Sequence, residues 1–209
     1  MYKRQDRTFP LEVFYEVKNK STTIKEITAK VIRQSDNATL SLIWSTFPSP
    51  ICRRVAGNFE TSFETAHPFK VEADTLAPAF VEFVDKCANM DEVSNNILYP
   101  VVCATMPIFS QPNATLPIVD GAVRALPEYA LAKIALNDHF FWKADEYEMV
   151  ITTIHSKGTF DKKYVFSLSD AESLRLRNNI DSVSISHVAN HFGIPVQMNT
   201  VTKDFKEKK

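Results

Sequence analysis

His187 and His191 are the pair whose types and spacing most directly suggest chemistry. On a helix, positions i and i+4 share a face, and two imidazoles so placed can hold one zinc ion, as a metal-dependent hydrolase would require. The zincin arrangement also needs a glutamate directly after the first histidine as general base, and Val188 occupies that position. A third ligand must come from farther away, with His155 the nearest histidine in sequence. The plainer reading is two histidines near a helix C-terminus, where the helix dipole favours a cation.

Other nucleophile and acid–base patterns are weaker. Cys87 lies in an apolar helical stripe and Cys103 in an apolar run, settings that raise a thiol pKa and suggest inert packing. Cys52 precedes Arg53-Arg54, cations that favour a thiolate, although an incidental loop cysteine reads as well. Asp145, Glu146 and Glu148 cluster before a strand, and Asp170 and Glu172 at a helix start, where solvation and capping account for them. No catalytic residue is assigned. Cationic side chains near aromatic ones could bind single-stranded RNA: Arg53 and Arg54 near Phe59 and Phe63, Lys157 in a hairpin near Phe160, and Arg175 with Arg177. Each also reads as a solubilising face.

Glycine narrows the field. Only 4 of 209 residues are glycine, about 2% against a usual ~7%. None are spaced as G-x-G-x-x-G, as G-x-x-x-x-G-K-[ST] or as G-x-S-x-G, so a nucleotide cofactor is not expected, and no other cofactor is assigned. Formal net charge is −1, giving no global pull toward nucleic acid or membrane. Three cysteines without C-x-x-C, a polar basic N-terminus and no membrane-length apolar run point to reduced, mostly buried thiols in a cytoplasmic protein. Met1-Tyr2-Lys3-Arg4-Gln5 resembles the translation of a transposon-end sequencing adapter, as in metagenomic reads, so native sequence is expected to start at Asp6.

The elements that must position these residues follow from periodicity. Alternation predicts strands over Phe9–Lys18, Thr22–Gln34 and Thr39–Phe47, ended by Pro48 and Pro50. In the second of these, Ile24, Ile27 and Val31 also fit a helix. Residues 51–70 read as irregular. The stripe Phe80, Phe83, Val84 and Cys87 predicts a helix over Leu76–Met90, capped by Asp74 or Thr75. Leu98–Phe109 reads as a β-like run broken by prolines, and 110–117 as an exposed loop or subdomain boundary. Asp120–Phe141 holds the clearest helix, with Pro127 in its first turn. Tyr147–His155 and Lys162–Leu168 form a hairpin turning at Gly158. Ser169 and Glu172 make a capping box for a helix over 170–178, and Ser184–Phe192 is a helix stopped by Gly193. Residues 203–209 read as a charged, frayed tail.

The run Ala135-Leu136-Asn137-Asp138-His139-Phe140-Phe141-Trp142-Lys143, leading into a strand, a hairpin and Tyr164-Val165-Phe166, resembles part of the guide-RNA-binding backbone subunit of subtype I-F CRISPR effector complexes. That family carries Asn-Gly-Arg-Trp-Leu-Trp-Arg-Asn at the helix end; Asn137, Trp142 and Lys143 match or nearly match, whereas Asp138 and Ala144 depart. The likeness covers about residues 130–180. It implies that Lys143, Arg175 and Arg177 contact RNA, and implies no catalytic residue.

Together these readings predict an α+β fold: an antiparallel sheet with roughly three to five helices in a single compact domain over 6–202. The leading functional expectation is a non-catalytic binding or assembly subunit, fitting a viral or mobile-element source, with a protein partner or a homo-oligomer. The alternatives are the RNA-binding backbone subunit and the hydrolase built on His187 and His191.

Overall fold

The computed structural model describes residues 9–55, 58–85 and 89–208. Met1–Gln5, Gly57 and Cys87 lie outside the described residues, as do the side chains of Cys52, Arg53, Arg54, Phe59 and Phe63. The elements in chain order are β1 (Phe9–Val17), β2 (Thr22–Arg33), β3 (Thr39–Val55), β4 (Asn58–Thr65), β5 (Phe69–Val71), β6 (Thr75–Asp85), α1 (Asn89–Phe109), α2 (Leu116–Arg124), α3 (Pro127–Asp138), β7 (Asp145–His155), β8 (Gly158–Leu168), α4 (Asp170–Arg177), α5 (Asn179–Ser184), α6 (Ser186–His191) and β9 (Lys206–Glu207). The fold is α+β with an antiparallel sheet, every pair of described register running antiparallel. Six helices are described, two of them only six residues long.

Side-chain alternation builds the sheet. Along β2, Thr22 and Ile24 are buried, then Ile27, Ala29, Val31 and Arg33. The phase changes at a register shift between Ile24 and Glu26, a bulge that adds one residue to the strand. That extra residue gives Ile24, Ile27 and Val31 their helix-like spacing. The strand order is β1-β6-β3-β2-β7-β8-β9, with β4 on β3 and β5 on β2. The sheet curls: the Tyr15 hydroxyl on β1 lies 3.2 Å from Thr153 Oγ1 on β7, although three strands separate them in the order. Phe69 fills the curl, edge-on to Tyr15 at 5.8 Å and to Trp44 at 6.0 Å.

Several expectations are corrected. Leu76–Met90 was expected to be a helix, but Thr75–Asp85 is a strand in which Ala79, Val81 and Phe83 alternate inward. It pairs with β1 on one side and β3 on the other, and pairing on both edges outweighs the helix-like stripe. Asp74, at φ 57°, forms the preceding turn rather than a cap. β3 continues through Pro48 and Pro50, tolerated because the β3–β4 register shifts between Pro48 and Cys52. Residues 51–70, expected to be irregular, carry the end of β3 and then β4.

Leu98–Phe109 is the second half of α1, with Pro100 and Pro107 inside it. Buried Val101 and Thr105 at i, i+4 set the helical face, and Thr105 Oγ1 donates to the Val101 carbonyl at 2.7 Å. The clearest helix expected within Asp120–Phe141, with Pro127 in its first turn, is α3, and a separate helix, α2, precedes it. Pro127 starts α3 and holds Leu126 extended, at φ −70°, ψ 137°. The hairpin, the Ser169–Glu172 capping box and the Gly193 stop are present as expected. At φ 70°, Gly193 donates to Asn190 O (3.1 Å) and Ile194 to Ala189 O (2.9 Å), a Schellman closure of α6. Ser184–Phe192, expected to be one helix, breaks at Ile185 into the end of α5 and α6. The tail is tied down rather than frayed. β9 pairs with β8, and Phe205 packs edge-on to Phe166 at 5.2 Å.

The chain resolves into two compact units, a strand-rich one (1–87, 147–166, 205–209) and a helical one (88–146, 167–204). Residues 110–117 fall inside the helical unit. The core of the strand-rich unit includes Ile27, Val31, Val71, Val81, Phe83 and Met149, all out of water. In the helical unit Val101, Val119, Val123, Tyr129, Ala132 and Val188 form the core.

Candidate functional site

α6 does place His187 and His191 together, but around a phenyl ring. His191 stacks on Phe109 at 3.9 Å and 12°, and His187 meets the same ring edge-on at 6.4 Å. His187 Nε2 lies 2.9 Å from Thr105 Oγ1. Because the single Thr105 hydroxyl proton goes to the Val101 carbonyl, Nε2–H must donate and Nδ1 carries the lone pair. Burial lowers the His187 pKa and so favours this neutral form. Among the described residues no group of three His, Cys, Asp or Glu side chains stands close enough to hold a metal ion.

The cationic candidates are dispersed. Lys143, Arg175 and Arg177 belong to the helical unit, where Arg177 lies over the Phe140 ring at 5.2 Å. Lys157 sits at the β7–β8 turn of the strand-rich unit, its Nζ donating to the Lys20 carbonyl at 3.2 Å. Arg53 and Arg54 are on β3. The carboxylates expected to be solvated or capping are engaged: Glu148 pairs with Lys208 at 2.5 Å, and Glu172 with Lys203 at 2.6 Å. The Lys203 hydrogen bond and the Ser169 cap hold the Glu172 pKa at about 2.

A denser cluster joins α2, α3 and α5. Asp181 accepts from the Tyr129 hydroxyl (2.5 Å), Arg124 (2.7 Å) and Lys133 (2.8 Å), and Arg124 also pairs with Asp120 at 2.7 Å. Partial burial pushes the Asp181 pKa up, but the Lys133, Tyr129 and Arg124 hydrogen bonds outweigh it and hold the carboxyl well below the usual range. The Tyr129 phenol is pushed up by burial and then by Asp181. Two carboxylates and two cations balance, so the cluster is a tie between helices and attracts no ion.

The unexplained feature of the helical unit is its surface. Residues 93–119 contain no charged side chain. On α1, Tyr99 and Met106 are 67% and 59% exposed, with Cys103 between them on the same face. Cys103 was expected to be buried; the helix turns it outward, four residues from Tyr99. α3 buries Tyr129, Ala132 and Leu136, yet its opposite side exposes Leu131 at 66% and Ile134 at 60%. Of nine exposed large hydrophobic side chains among the described residues, seven are in this unit. The strand-rich unit instead carries a small cleft of about 220 Å³ lined by Lys25, Glu26, Ile43, Trp44, Ala66, His67 and Pro68. That is below the ~300–1,000 Å³ of ligand pockets and suits a single side chain.

Charge also segregates. The helical unit has 11 acidic and 6 basic residues, net −5; the strand-rich unit has 14 acidic and 18 basic, net +4, and its described residues balance at 13 of each. Sequence reading missed both features. α3 carried the signal, since Leu131 and Ile134 fall outside its Tyr129–Ala132–Leu136 stripe. Comparison with family models, with curated proteins and with solved structures returns no match, so it bears neither way on the local resemblance over 130–180. Among the described residues no helix is long and apolar enough to cross a membrane.

Proposed function

We propose that this chain is a non-catalytic subunit that docks on protein through the outer faces of α1 and α3. The observation that carries the reading is α3, a surface helix apolar on both sides. A helix that buries one apolar face normally turns charge to water on the other. Two exposures of 60% or more at i, i+3, beside an uncharged 27-residue stretch, are what a partner would cover. The groups that could do chemistry support the non-catalytic part: His187 is tied to Thr105, His191 is stacked on Phe109, and Asp181 is neutralised by its neighbours.

Native-state sizing by light scattering tests this. The chain, alone or with the protein co-purifying with it, should run above its 23.7 kDa monomer mass. A Leu131→Asp/Ile134→Asp variant with unchanged circular dichroism should lose that association at least tenfold. A strict monomer that recovers no partner, or association the double variant leaves intact, refutes docking through α3.

A further inference from the structure

The outer face of α1 is patterned around its own midpoint. From position 96 to position 110, Asn96, Pro100, Cys103, Pro107 and Ser110 are exposed at alternating steps of four and three, the spacing of a helix–helix seam. Tyr99 and Met106 are the other exposed side chains of this stretch and flank the seam. Counting outward from Cys103 in both directions pairs Pro100 with Met106, Tyr99 with Pro107 and Asn96 with Ser110. Apolar answers apolar near the middle, and amide answers hydroxyl at the ends.

That symmetry identifies an occupant. In a two-fold contact residue i of one copy meets j of the other while j meets i. Two α1 helices laid antiparallel across Cys103 make the pairs just named. Residues 93–119 carry no charged side chain, so no like charges meet along the seam. Polar atoms on this face also have partners within the chain. The Tyr99 hydroxyl hydrogen-bonds with the Cys103 thiol, and Ser110 Oγ donates to the Met106 carbonyl at 3.3 Å. Covering these groups therefore strands none of them without a hydrogen bond.

We infer that α1 is the contact surface for a second copy of this chain, the two helices antiparallel about a two-fold axis at Cys103. This rests on the docking reading above for the use of α1, and adds the occupant and the geometry. From 96 to 110 the seam is about 21 Å long and one helix wide, less than the ~1,200 Å² of a standard interface. The dimer is therefore dissociable, and its share rises with concentration. Each copy also brings a helical unit of net −5, so salt strengthens the contact by screening repulsion between the units.

Thiol cross-linking with a short bismaleimide decides it, in a Cys52→Ser/Cys87→Ser background where Cys103 is the only thiol. Helix axes about 8–10 Å apart bring the two Cys103 side chains together, so a covalent dimer should form. Replacing Cys103→Ser and moving the thiol by Asn96→Cys or by Ser110→Cys sets like thiols about 21 Å apart across the axis. Neither of these variants should cross-link alone, whereas their equimolar mixture should. Tyr99→Asp/Met106→Asp, with unchanged circular dichroism, should weaken dimerisation at least tenfold by sedimentation velocity. Wild-type dimerisation should strengthen between about 0.05 and 0.5 M NaCl. A chain that stays monomeric, a dimer that does not cross-link at Cys103, or a Tyr99→Asp/Met106→Asp variant that associates like the wild type overturns the α1 contact. If Cys103 does not cross-link but Leu131→Asp/Ile134→Asp releases another protein, docking stands and self-pairing fails. If Cys103 cross-links and the Leu131→Asp/Ile134→Asp variant changes nothing, self-pairing stands and docking through α3 fails.

Discussion

Removing the Asp181 carboxylate tests whether one residue ties three helices together. Asp181→Ala takes away the acceptor for the Tyr129 hydroxyl, Arg124 and Lys133 at once. The side chains of Asp181, Arg124 and Lys133 are 35–39% exposed, so solvent screens the two ion pairs and each merits a surface value, about 0.5 kcal/mol. Tyr129 is buried, and its hydrogen bond to a charged acceptor contributes about 1 kcal/mol more. The sum is about 2 kcal/mol, or about 4–8 °C in melting temperature for a chain of this size. Asp181→Asn keeps an acceptor for Tyr129 and should lose about half as much.

Urea unfolding followed by far-UV circular dichroism at neutral pH reads both values. The sign of the pH effect follows from the depressed carboxyl. As pH falls through about 4, the unfolded state takes up a proton that the folded state refuses, so stability present above that pH is lost below it. The gap between wild type and Asp181→Asn should therefore close in acid. A change below about 0.5 kcal/mol for Asp181→Ala, or equal losses for Ala and Asn, would show that the cluster is merely solvated and that α2, α3 and α5 are held by apolar packing alone.

Three further outcomes follow from local geometry. Nitrogen-detected NMR should find His187 as the Nε2–H tautomer, titrating below the ordinary ~6.5. Since its folded pKa is the lower one, wild-type stability relative to His187→Gln should drop as pH falls below about 6.5. Ser169→Ala removes a capping box that is fully formed and should cost about 1 kcal/mol by thermal unfolding. Gly193→Ala should cost about 1 kcal/mol from its positive φ alone, because an added Cβ meets nothing within 4 Å; a neutral result would show that α6 can end without the left-handed residue.

What the sequence made legible was local. The hairpin, the capping box, Pro127 and Gly193 are signals whose physics lies within a few residues, and the structure keeps them. β6 was not legible, because Phe80, Phe83, Val84 and Cys87 repeat at helical spacing while its strand character comes from β1 and β3, remote in sequence. α1 failed in the opposite direction. Pro100 and Pro107 argue against a helix, and the compensation is tertiary, through Val101 and Thr105 in the helical core. For the candidate site, the i, i+4 spacing of His187 and His191 correctly put both on one face but could not reveal that Phe109 occupies it.

Net charge illustrates the same limit. A value of −1 says that nothing pulls the whole chain toward a polyanion or a basic surface, and that holds only if charge is spread evenly. Here the −5 resides in the helical unit, while the described residues of the strand-rich unit balance. At separations beyond a Debye length of about 8 Å, an approaching partner feels the nearer unit rather than the sum. Strand pairing drives the division, because β7 to β9 join the sheet from the far end of the sequence and carry Lys157, Lys162, Lys163, Lys206 and Lys208 with them. Arg175 and Arg177, three and five residues after a capping box with two carboxylates, stay with the acidic helices. Cationic residues that look equivalent along the chain therefore sit in different surroundings, Arg175 among net-negative helices and Lys157 in a unit whose described residues balance. A polyanion would meet net repulsion around Arg175 and none around Lys157, which is why the distribution of charge, rather than its total, sets which partners each surface can take.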